Sequence, residues 1–156
     1  MENLDVRIVD LPPLRVASAH GFGEGPEGLA WDQMMAWLKQ RGFWKDGSGR
    51  RFFGFNNPDP SPGSPNYGYE VWATVGPEVK SEGEITVKAF SGGRYAVTRC
   101  VVKDPYQDIP STWKRLVAWV ETSPYQPARH QWLEEAFWEE GPGDQTFTLD
   151  LFMPIR

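Results

Sequence analysis

The sequence is poor in the residues that build metal sites and disulfides. It has a single cysteine, Cys100, among 156 residues, so an internal disulfide cannot form and no CxxC metal pair exists. The two histidines, His20 and His130, lack the spacing of a zinc site. We therefore expect neither a metal ion nor another cofactor.

Basic charge and long apolar runs are also missing. The chain carries 16 Lys and Arg against 21 Asp and Glu, a net charge of −5, with no basic stripe to neutralise phosphates. No apolar run approaches the roughly 18 residues that span a bilayer. The acidic start MENLDVRIVD is unlike a secretory signal. These features predict a cytoplasmic protein that binds neither nucleic acid directly nor membranes, and we expect a monomer or a weak homodimer.

Large aromatic side chains are abundant by contrast. Eight Trp, nine Phe and five Tyr are set among 14 Pro and 16 Gly. With 40% hydrophobic residues, the chain can form a core within one domain over residues 1–156. So many flat side chains can fill a core, line a ligand groove, or do both.

Hydrophobic periodicity predicts two helices and several strands. The first helix covers residues 28–41, and the second begins at the start signals Pro110 and Ser111 within residues 108–123. Strong β character predicts strands at residues 14–23, 51–55, 67–75, 84–90, 94–102, 131–138 and 146–155. The strands at 84–90 and 94–102 are predicted to form a hairpin.

The order strand, helix, strand, strand occurs twice. WDQMMAWL in the first helix aligns with WKRLVAWV in the second at an offset of 82, and RFFGF aligns with LEEAF at the same offset. YEVWATV aligns with LDLFMPI at an offset of 80. We infer an α+β fold of duplicated β-α-β-β units, about 4–75 and 84–156, with an antiparallel sheet, two main helices on one side and a central ligand cleft.

Strand alternation sorts the candidate carboxylates by face. Glu70 and Trp72 point the same way, and the repeat matches this pair with Asp150 and Phe152. In QWLEEAFW the adjacent acids must point in opposite directions. We favour Glu135 for the groove because it shares a face with Phe137, and Glu134 is the alternative.

A carboxylate among aromatic rings has two possible uses. It can offset the lost hydration of a planar organic cation, which the ring faces also attract. It can instead act as a general base that activates water, with its pKa raised by desolvation. The residues leave these uses open. Phe22, in the glycine-rich turn GFGEGPEG, is a further candidate for contact with the groove.

Four segments in order resemble the GyrI-like small-molecule-binding family. They are the helix ending in AWL, FFGFNNPDPSPGSPNYGYEVWATV, YQPARHQWLEEAF and LDLFMPI. The resemblance implies a duplicated β-α-β-β (SHS2) fold whose cleft binds amphipathic or cationic aromatic compounds around a glutamate. That glutamate corresponds to Glu135, or to Glu134 in the neighbouring register. The YGYE tetrapeptide is similar to that of free-standing members and adds Tyr67, Tyr69, Glu70 and Trp72 as ligand-binding candidates.

We consider a leading hypothesis and two alternatives. The first is a free-standing binder that sequesters or senses planar, hydrophobic, often cationic compounds. The second is a hydrolase that opens cyclopropane-containing or similar electrophilic genotoxins, with Glu135 and Glu70 as catalytic candidates. The third is a protein-protein inhibitor that docks through an exposed acidic surface. The effector-binding domains of AraC- and MerR-type multidrug regulators belong to the same family, but this sequence has no helix-turn-helix segment.

Overall fold

The chain forms two compact units. The computed structural model describes residues 4–43, 49–138 and 147–156. We call Leu14–Phe90 the N unit, and we call Met1–Pro13 together with Ser91–Arg156 the C unit. In chain order the elements of the described part are β1 (Val6–Leu11), β2 (Leu14–Gly23), α1 (Pro26–Gln40), β3 (Phe52–Asn56), β4 (Tyr67–Thr74), β5 (Thr86–Phe90), β6 (Gly93–Val102), α2 (Pro105–Glu121), β7 (Leu133–Phe137) and β8 (Phe147–Pro154).

Each unit contains four antiparallel strands and one helix. The strand order is β3-β4-β2-β5 in the N unit and β1-β6-β8-β7 in the C unit. Helix α1 packs on β2 and β4, and α2 packs on β6 and β8. The predicted α+β class, with duplicated units and antiparallel pairing, is confirmed. The central cleft stays a prediction.

The two sequence repeats, 4–75 and 84–156, exchange their first strands, β1 and β5. Strand β1 belongs to the repeat 4–75 but pairs with β6 of the repeat 84–156. Strand β5 belongs to the repeat 84–156 but pairs with β2 of the repeat 4–75. The hairpin predicted for residues 84–90 and 94–102 is therefore wrong, since its two strands pair elsewhere. The exchange also explains why the bounds of the units differ from the sequence repeats 4–75 and 84–156.

Both helices begin at a proline. In α1, Gly25 adopts a left-handed conformation with φ 62°, and Pro26 occupies the first turn. In α2, the side chain of Asp104 caps the N-terminus by accepting a hydrogen bond from the backbone N–H of Tyr106 at 3.1 Å. The predicted start at Pro110 is thus too late, because this proline lies inside the helix and the cap lies further upstream.

Apolar side chains of each helix form the core with the sheet face beneath them. Met34 and Leu38 of α1 are fully buried, as are Leu116 and Val120 of α2. These pairs differ by 82 in number, which agrees with the predicted alignment of the helices. Helix packing therefore occupies one face of each sheet and leaves the other for side chains that the helices do not touch.

The strand registers identify equivalent residues in the two sheets. Glu70 of β4 lies opposite Phe55 of β3, and Asp150 of β8 lies opposite Glu135 of β7. The offset of 80 predicted for β4 and β8 therefore also relates β3 to β7. The offset of 82 predicted for RFFGF and LEEAF was wrong by two residues, because it matched Phe55 with Phe137.

Candidate functional site

We define the helix-free face of each sheet as the side opposite its helix. Directly paired residues of antiparallel strands point to the same side, and alternate residues share a face. In the N unit this face carries Ser18, His20, Phe53, Phe55, Glu70, Trp72 and Lys88. In the C unit it carries Arg7, Tyr95, Arg99, Leu133, Glu135, Phe137, Asp150 and Phe152.

Glu70 is the centre of a dense hydrogen-bond network on the N unit. The residue is only 4% exposed. Its Oε2 accepts hydrogen bonds from Ser18 Oγ at 2.7 Å and from Trp72 Nε1 at 2.6 Å, and it forms an ion pair with the Lys88 ammonium. Its Oε1 accepts from Asn57 Nδ2 at 3.0 Å. Four donors from four segments of the chain therefore fix the orientation of this carboxylate.

These donors also set the ionisation of Glu70. Burial alone would raise the pKa of this carboxyl group, but the hydrogen bonds from Lys88, Ser18, Trp72 and Asn57 outweigh burial. The pKa of Glu70 consequently lies below its ordinary value. The carboxylate is anionic near neutral pH and is a weak proton acceptor.

A glycine holds Asn57 in place. The backbone N–H of Asn57 donates to the carbonyl of Gly68 at 2.8 Å, and the N–H of Gly68 donates to the carbonyl of Pro58 at 3.0 Å. A Cβ atom on Gly68 would lie 1.8 Å from the Asn57 carbonyl oxygen. Only glycine permits this approach, which brings the Asn57 side chain to Glu70. His20 Nε2 also donates to the Asn57 carbonyl, at 2.6 Å.

Aromatic rings surround the indole of Trp72 on the same face. Its ring centroid lies 4.9 Å from that of Phe55 in an edge-on arrangement and 5.1 Å from that of Phe90. The Lys88 ammonium lies 5.6 Å from the Trp72 centroid. This lysine therefore contacts the carboxylate of Glu70 and the π face of Trp72 with the same group.

The C unit places Asp150 at the position that matches Glu70. The side chain of Asp150 is 3% exposed and accepts hydrogen bonds from Arg99 Nε at 2.9 Å, Arg99 Nη2 at 3.2 Å and Arg7 Nη2 at 2.8 Å. Burial raises its pKa, but the two guanidinium groups outweigh burial and hold the pKa below its ordinary value. Asp150 is thus a second buried anion with cations of the chain bound to it.

Glu135 and Phe137 lie beside this ion-pair cluster, as strand alternation predicts. Glu135 is directly opposite Asp150 and is 5% exposed, whereas Phe137 is 37% exposed. The Arg99 guanidinium carbon lies 5.4 Å from the Phe137 centroid. The hydrogen bonds to Asp150 raise the pKa of Arg99, and the negative charges of Asp150 and Glu135 raise it further. A planar cation, two acids and an accessible ring therefore adjoin one another.

Other predicted site residues lie on the faces covered by the helices. Glu134 accepts a hydrogen bond from Trp113 Nε1 of α2 at 3.1 Å. Tyr67 donates to the carboxylate of Glu27 in α1, and Tyr69 is 8% exposed, with its hydroxyl group close to Gly54. Within each unit, the structure therefore places these residues on the opposite side of the strands from Glu70 and Trp72, or from Glu135 and Phe137.

Phe22, at the end of β2, is 57% exposed. It lies directly opposite Gly68 on the same side of the sheet as Glu70. Cys100 lies on the other side of the C-unit sheet and is 4% exposed. Burial raises the pKa of its thiol, which is consistent with a packed rather than a reactive cysteine.

Several residues of the two networks were not predicted as site residues. They are Arg7, Ser18, Asn57, Lys88 and Arg99. The alternation of β5 could have shown that Lys88 faces away from its strand neighbours Val87 and Ala89. Its contact with Glu70 depends on pairing between β5 and β2, which no local pattern specifies.

The structure describes residues 4–43, 49–138 and 147–156. No cluster of three or more His, Cys, Asp or Glu residues there could hold a metal ion. No helix in that part of the chain has the length and apolar character to cross a membrane.

Comparison with solved structures finds the same fold in several proteins. A cryo-EM structure of an EcmrR–DNA complex has a TM-score of 0.72 and 15% identity over 97% of this chain, which spans 57% of that chain. The crystal structure of the EcmrR C-terminal domain has a TM-score of 0.70 and 16% identity, with 98% of each chain covered. The EcmrR chain in the DNA complex therefore extends well beyond the matched region.

Two further solved structures have the same fold at similar length. A hydrolase from Listeria innocua has a TM-score of 0.66 and 11% identity, covering 100% of this chain and 94% of that one. SAV2435, solved with bound tetraphenylphosphonium, has a TM-score of 0.57 and 12% identity, covering 98% and 94%. At such identities these likenesses show the fold alone.

Sequence comparison adds the family. No curated protein is significantly similar to the chain. The model of the GyrI-like small molecule binding domain, however, matches residues 4–156, which is nearly the whole sequence. The resemblance noted from four segments is thereby confirmed, and the chain belongs to the family of GyrI-like small-molecule-binding domains.

Proposed function

We propose that the chain binds planar, hydrophobic and often cationic small molecules through aromatic rings beside the buried carboxylates of its helix-free faces. The observation that carries the proposal is that each unit already holds a cation of the chain against a ring and an acid. Lys88 contacts Glu70 and Trp72 in the N unit. Arg99 contacts Asp150 and Phe137 in the C unit.

This arrangement has the chemistry that an organic cation needs on leaving water. A cation over an aromatic face gains about 0.5 to 2 kcal/mol, and the gain is larger where water is excluded. A carboxylate nearby offsets the loss of hydration of the charged group. Stacking depends less on direction than hydrogen bonding does, so such a face tolerates ligands of different shapes. Sequestration or sensing of varied compounds fits this tolerance.

Phe137 and Glu135 are the residues of the C unit through which we propose the first contact. Phe137 offers an accessible ring, and Glu135 lies two residues away on the same face of β7. Trp72 and Glu70 provide the corresponding pair in the N unit. Tetraphenylphosphonium bound to SAV2435 is a hydrophobic cation, which supports this ligand class for a chain of the same fold.

The geometry of Glu70 favours binding over catalysis. A general base needs a free lone pair and a pKa near the working pH. Glu70 instead accepts four hydrogen bonds, and its pKa is lowered. The hydrolytic alternative would therefore depend on Glu135. It stays a prediction, as does the protein-protein inhibitor.

Two adjacent glutamates provide a matched test of the proposal. Ethidium and tetraphenylphosphonium are titrated into the protein, and binding is followed by tryptophan fluorescence and calorimetry. We expect Glu135→Gln to weaken binding of both cations by roughly 5- to 10-fold through loss of a nearby negative charge. Glu134→Gln keeps an oxygen that can accept from Trp113, and we expect wild-type affinity.

Two results would contradict the proposal. The first is the absence of saturable binding of either cation to the wild-type protein. The second is an equal effect of the two substitutions, which would show that the helix-free face of the C unit has no special part in binding.

A further inference from the structure

Lys88 supplies the positive charge that contacts both the acid and the indole ring on the helix-free face of the N unit. Its ammonium forms an ion pair with Glu70 and lies 5.6 Å from the ring centroid of Trp72, and these two residues are only 4% and 5% exposed. The side chain of Lys88 is 41% exposed. The cation that contacts the buried acid is therefore the accessible member of the group.

We propose that Lys88 is an internal ligand of the Glu70 face, and that planar organic cations bind there by displacing its ammonium into water. This inference rests on the proposed function and adds the residue that determines charge selectivity. A lysine side chain is long and flexible, so its ammonium can leave Glu70 while its strand stays paired. The incoming cation then takes over contact with Glu70 and Trp72.

The position of Lys88 on the outer strand β5 gives its side chain the freedom that displacement needs. Lys88 lies directly opposite Val16 of β2, and β5 is bonded to β2 along one side within the N unit. The other donors to Glu70 are Ser18, Asn57 and Trp72, all neutral and held by short side chains or a packed ring. They keep the carboxylate oriented when the ammonium departs.

The ion pairs of the C unit show why displacement is assigned to the lysine and not to an arginine. Arg99 binds Asp150 through two nitrogen atoms, and Arg7 adds a third hydrogen bond. A two-point guanidinium–carboxylate contact is held more firmly than the single contact of an ammonium. We therefore assign displacement to Lys88 and not to Arg99.

Displacement predicts a particular pattern of selectivity. An external cation replaces one positive charge at Glu70 with another, so its binding free energy comes mainly from its aromatic area. A neutral planar ligand does not compete for Glu70, and an anionic planar ligand is attracted by the Lys88 ammonium. Removing the charge of Lys88 should therefore raise the affinity for planar cations and lower the affinity for planar anions.

The affinity test uses three planar probes of different charge. They are ethidium, phenanthridine at pH 7.5, where it is neutral, and pyrenesulfonate. We expect Lys88→Met to strengthen ethidium binding by roughly tenfold, which is about the contribution of one charged contact. Phenanthridine should bind as in the wild type, and pyrenesulfonate should bind more weakly. Lys80→Met, at an exposed position between β4 and β5, is the control and should leave all three unchanged.

A second measurement follows the lysine itself in the wild-type protein. Amine acetylation by a water-soluble succinimidyl ester is quantified at each lysine by peptide mass spectrometry, with and without saturating ethidium. We expect ethidium to raise the labelling rate of Lys88 several-fold, because the freed ammonium enters water, and to leave Lys80 unchanged.

The outcomes separate this inference from the proposed function. If ethidium binds but neither its affinity in Lys88→Met nor the labelling of Lys88 rises, displacement is refuted while small-molecule binding stands. Reduced labelling of Lys88 would mean that the ligand covers the lysine, which also refutes displacement. If no probe binds to the wild type or to either variant, both proposals fail.

Discussion

Glu70 and Asp150 occupy equivalent positions in the two units, and each is bound by a cation from an exchanged outer strand. Lys88 of β5 contacts Glu70, and Arg7 of β1 contacts Asp150. Glu70 belongs to the sequence repeat 4–75, whereas its partner Lys88 belongs to the repeat 84–156. Conversely, Asp150 belongs to the repeat 84–156 and its partner Arg7 to the repeat 4–75. The exchange of strands therefore joins the repeats by charge as well as by backbone hydrogen bonds.

The first prediction concerns the stability that Glu70 contributes. Glu70→Gln removes the charge, but the donor groups of Ser18, Asn57 and Trp72 still surround the side chain, which is now a neutral amide. We expect the free energy of unfolding to fall by about 1 to 3 kcal/mol, as for lost hydrogen bonds to a buried charged group. Urea denaturation monitored by tryptophan fluorescence measures the change.

An exposed ion pair of the same unit serves as the control for that variant. Glu82 lies 3.3 Å from Arg41, and their side chains are 47% and 40% exposed. We expect Glu82→Gln to change stability by about 0.5 kcal/mol or less. Equal losses in Glu70→Gln and Glu82→Gln would show that the Glu70 network adds nothing special.

The second prediction concerns pH. The pKa values of Glu70 and Asp150 lie below their ordinary values of 4.5 and 3.8. The unfolded chain therefore binds more protons in this range, so these groups stabilise the fold above their ordinary pKa values and cease to do so as the pH falls through the lowered values. We expect unfolding free energy to decrease as the pH is lowered below about 4.5.

The contribution of each acid is measured by comparing variants across pH. Urea denaturation between neutral and acidic pH should give a shallower decrease in Glu70→Gln and in Asp150→Asn than in the wild type. A wild-type slope in both variants would contradict the assignment of this pH dependence to the two acids.

The third prediction separates an accessible ring from a buried one. Phe137 is 37% exposed, whereas Phe152 is 1% exposed. We expect Phe137→Ala to cost less than about 1 kcal/mol of stability but to weaken ethidium binding several-fold. We expect Phe152→Ala to lower stability by about 3 to 5 kcal/mol through the cavity that it leaves. Unchanged ethidium affinity in Phe137→Ala would argue against its proposed contact.

The fourth prediction tests how closely α1 approaches β2. A Cβ atom on Gly21 would lie 2.6 Å from the carbonyl oxygen of Pro26 and 2.9 Å from the Cβ atom of Leu29. Gly28 in α1 has open space around it. We expect Gly21→Ala to destabilise the protein by more than about 1 kcal/mol. Gly28→Ala should stabilise it by about 0.5 to 1 kcal/mol, since alanine favours helix.

Thermal denaturation of the two alanine variants provides the measurement. Opposite shifts of the melting temperature are expected. A stable Gly21→Ala variant would show that the helix can move away from the strand without loss of packing.

Strand alternation correctly placed several candidate residues on their faces. It grouped Glu70 with Trp72 and Glu135 with Phe137, and it separated Glu134 from Glu135, as observed. The same alternation puts Tyr67 and Tyr69 on the other side from Glu70, where α1 lies. These results were accessible from sequence because the two-residue period of a strand is a local property.

Tertiary structure alone decided which charges meet. The family, the α+β class and the duplication are present in the amino-acid pattern, since periodicity and motif order survive without knowledge of contacts. The exchange of β1 and β5 cannot be read from that pattern, because pairing of distant strands depends on hydrogen bonds across the folded chain. That exchange brings Lys88 to Glu70 and Arg7 to Asp150, and so turns two predicted acids into paired, oriented anions.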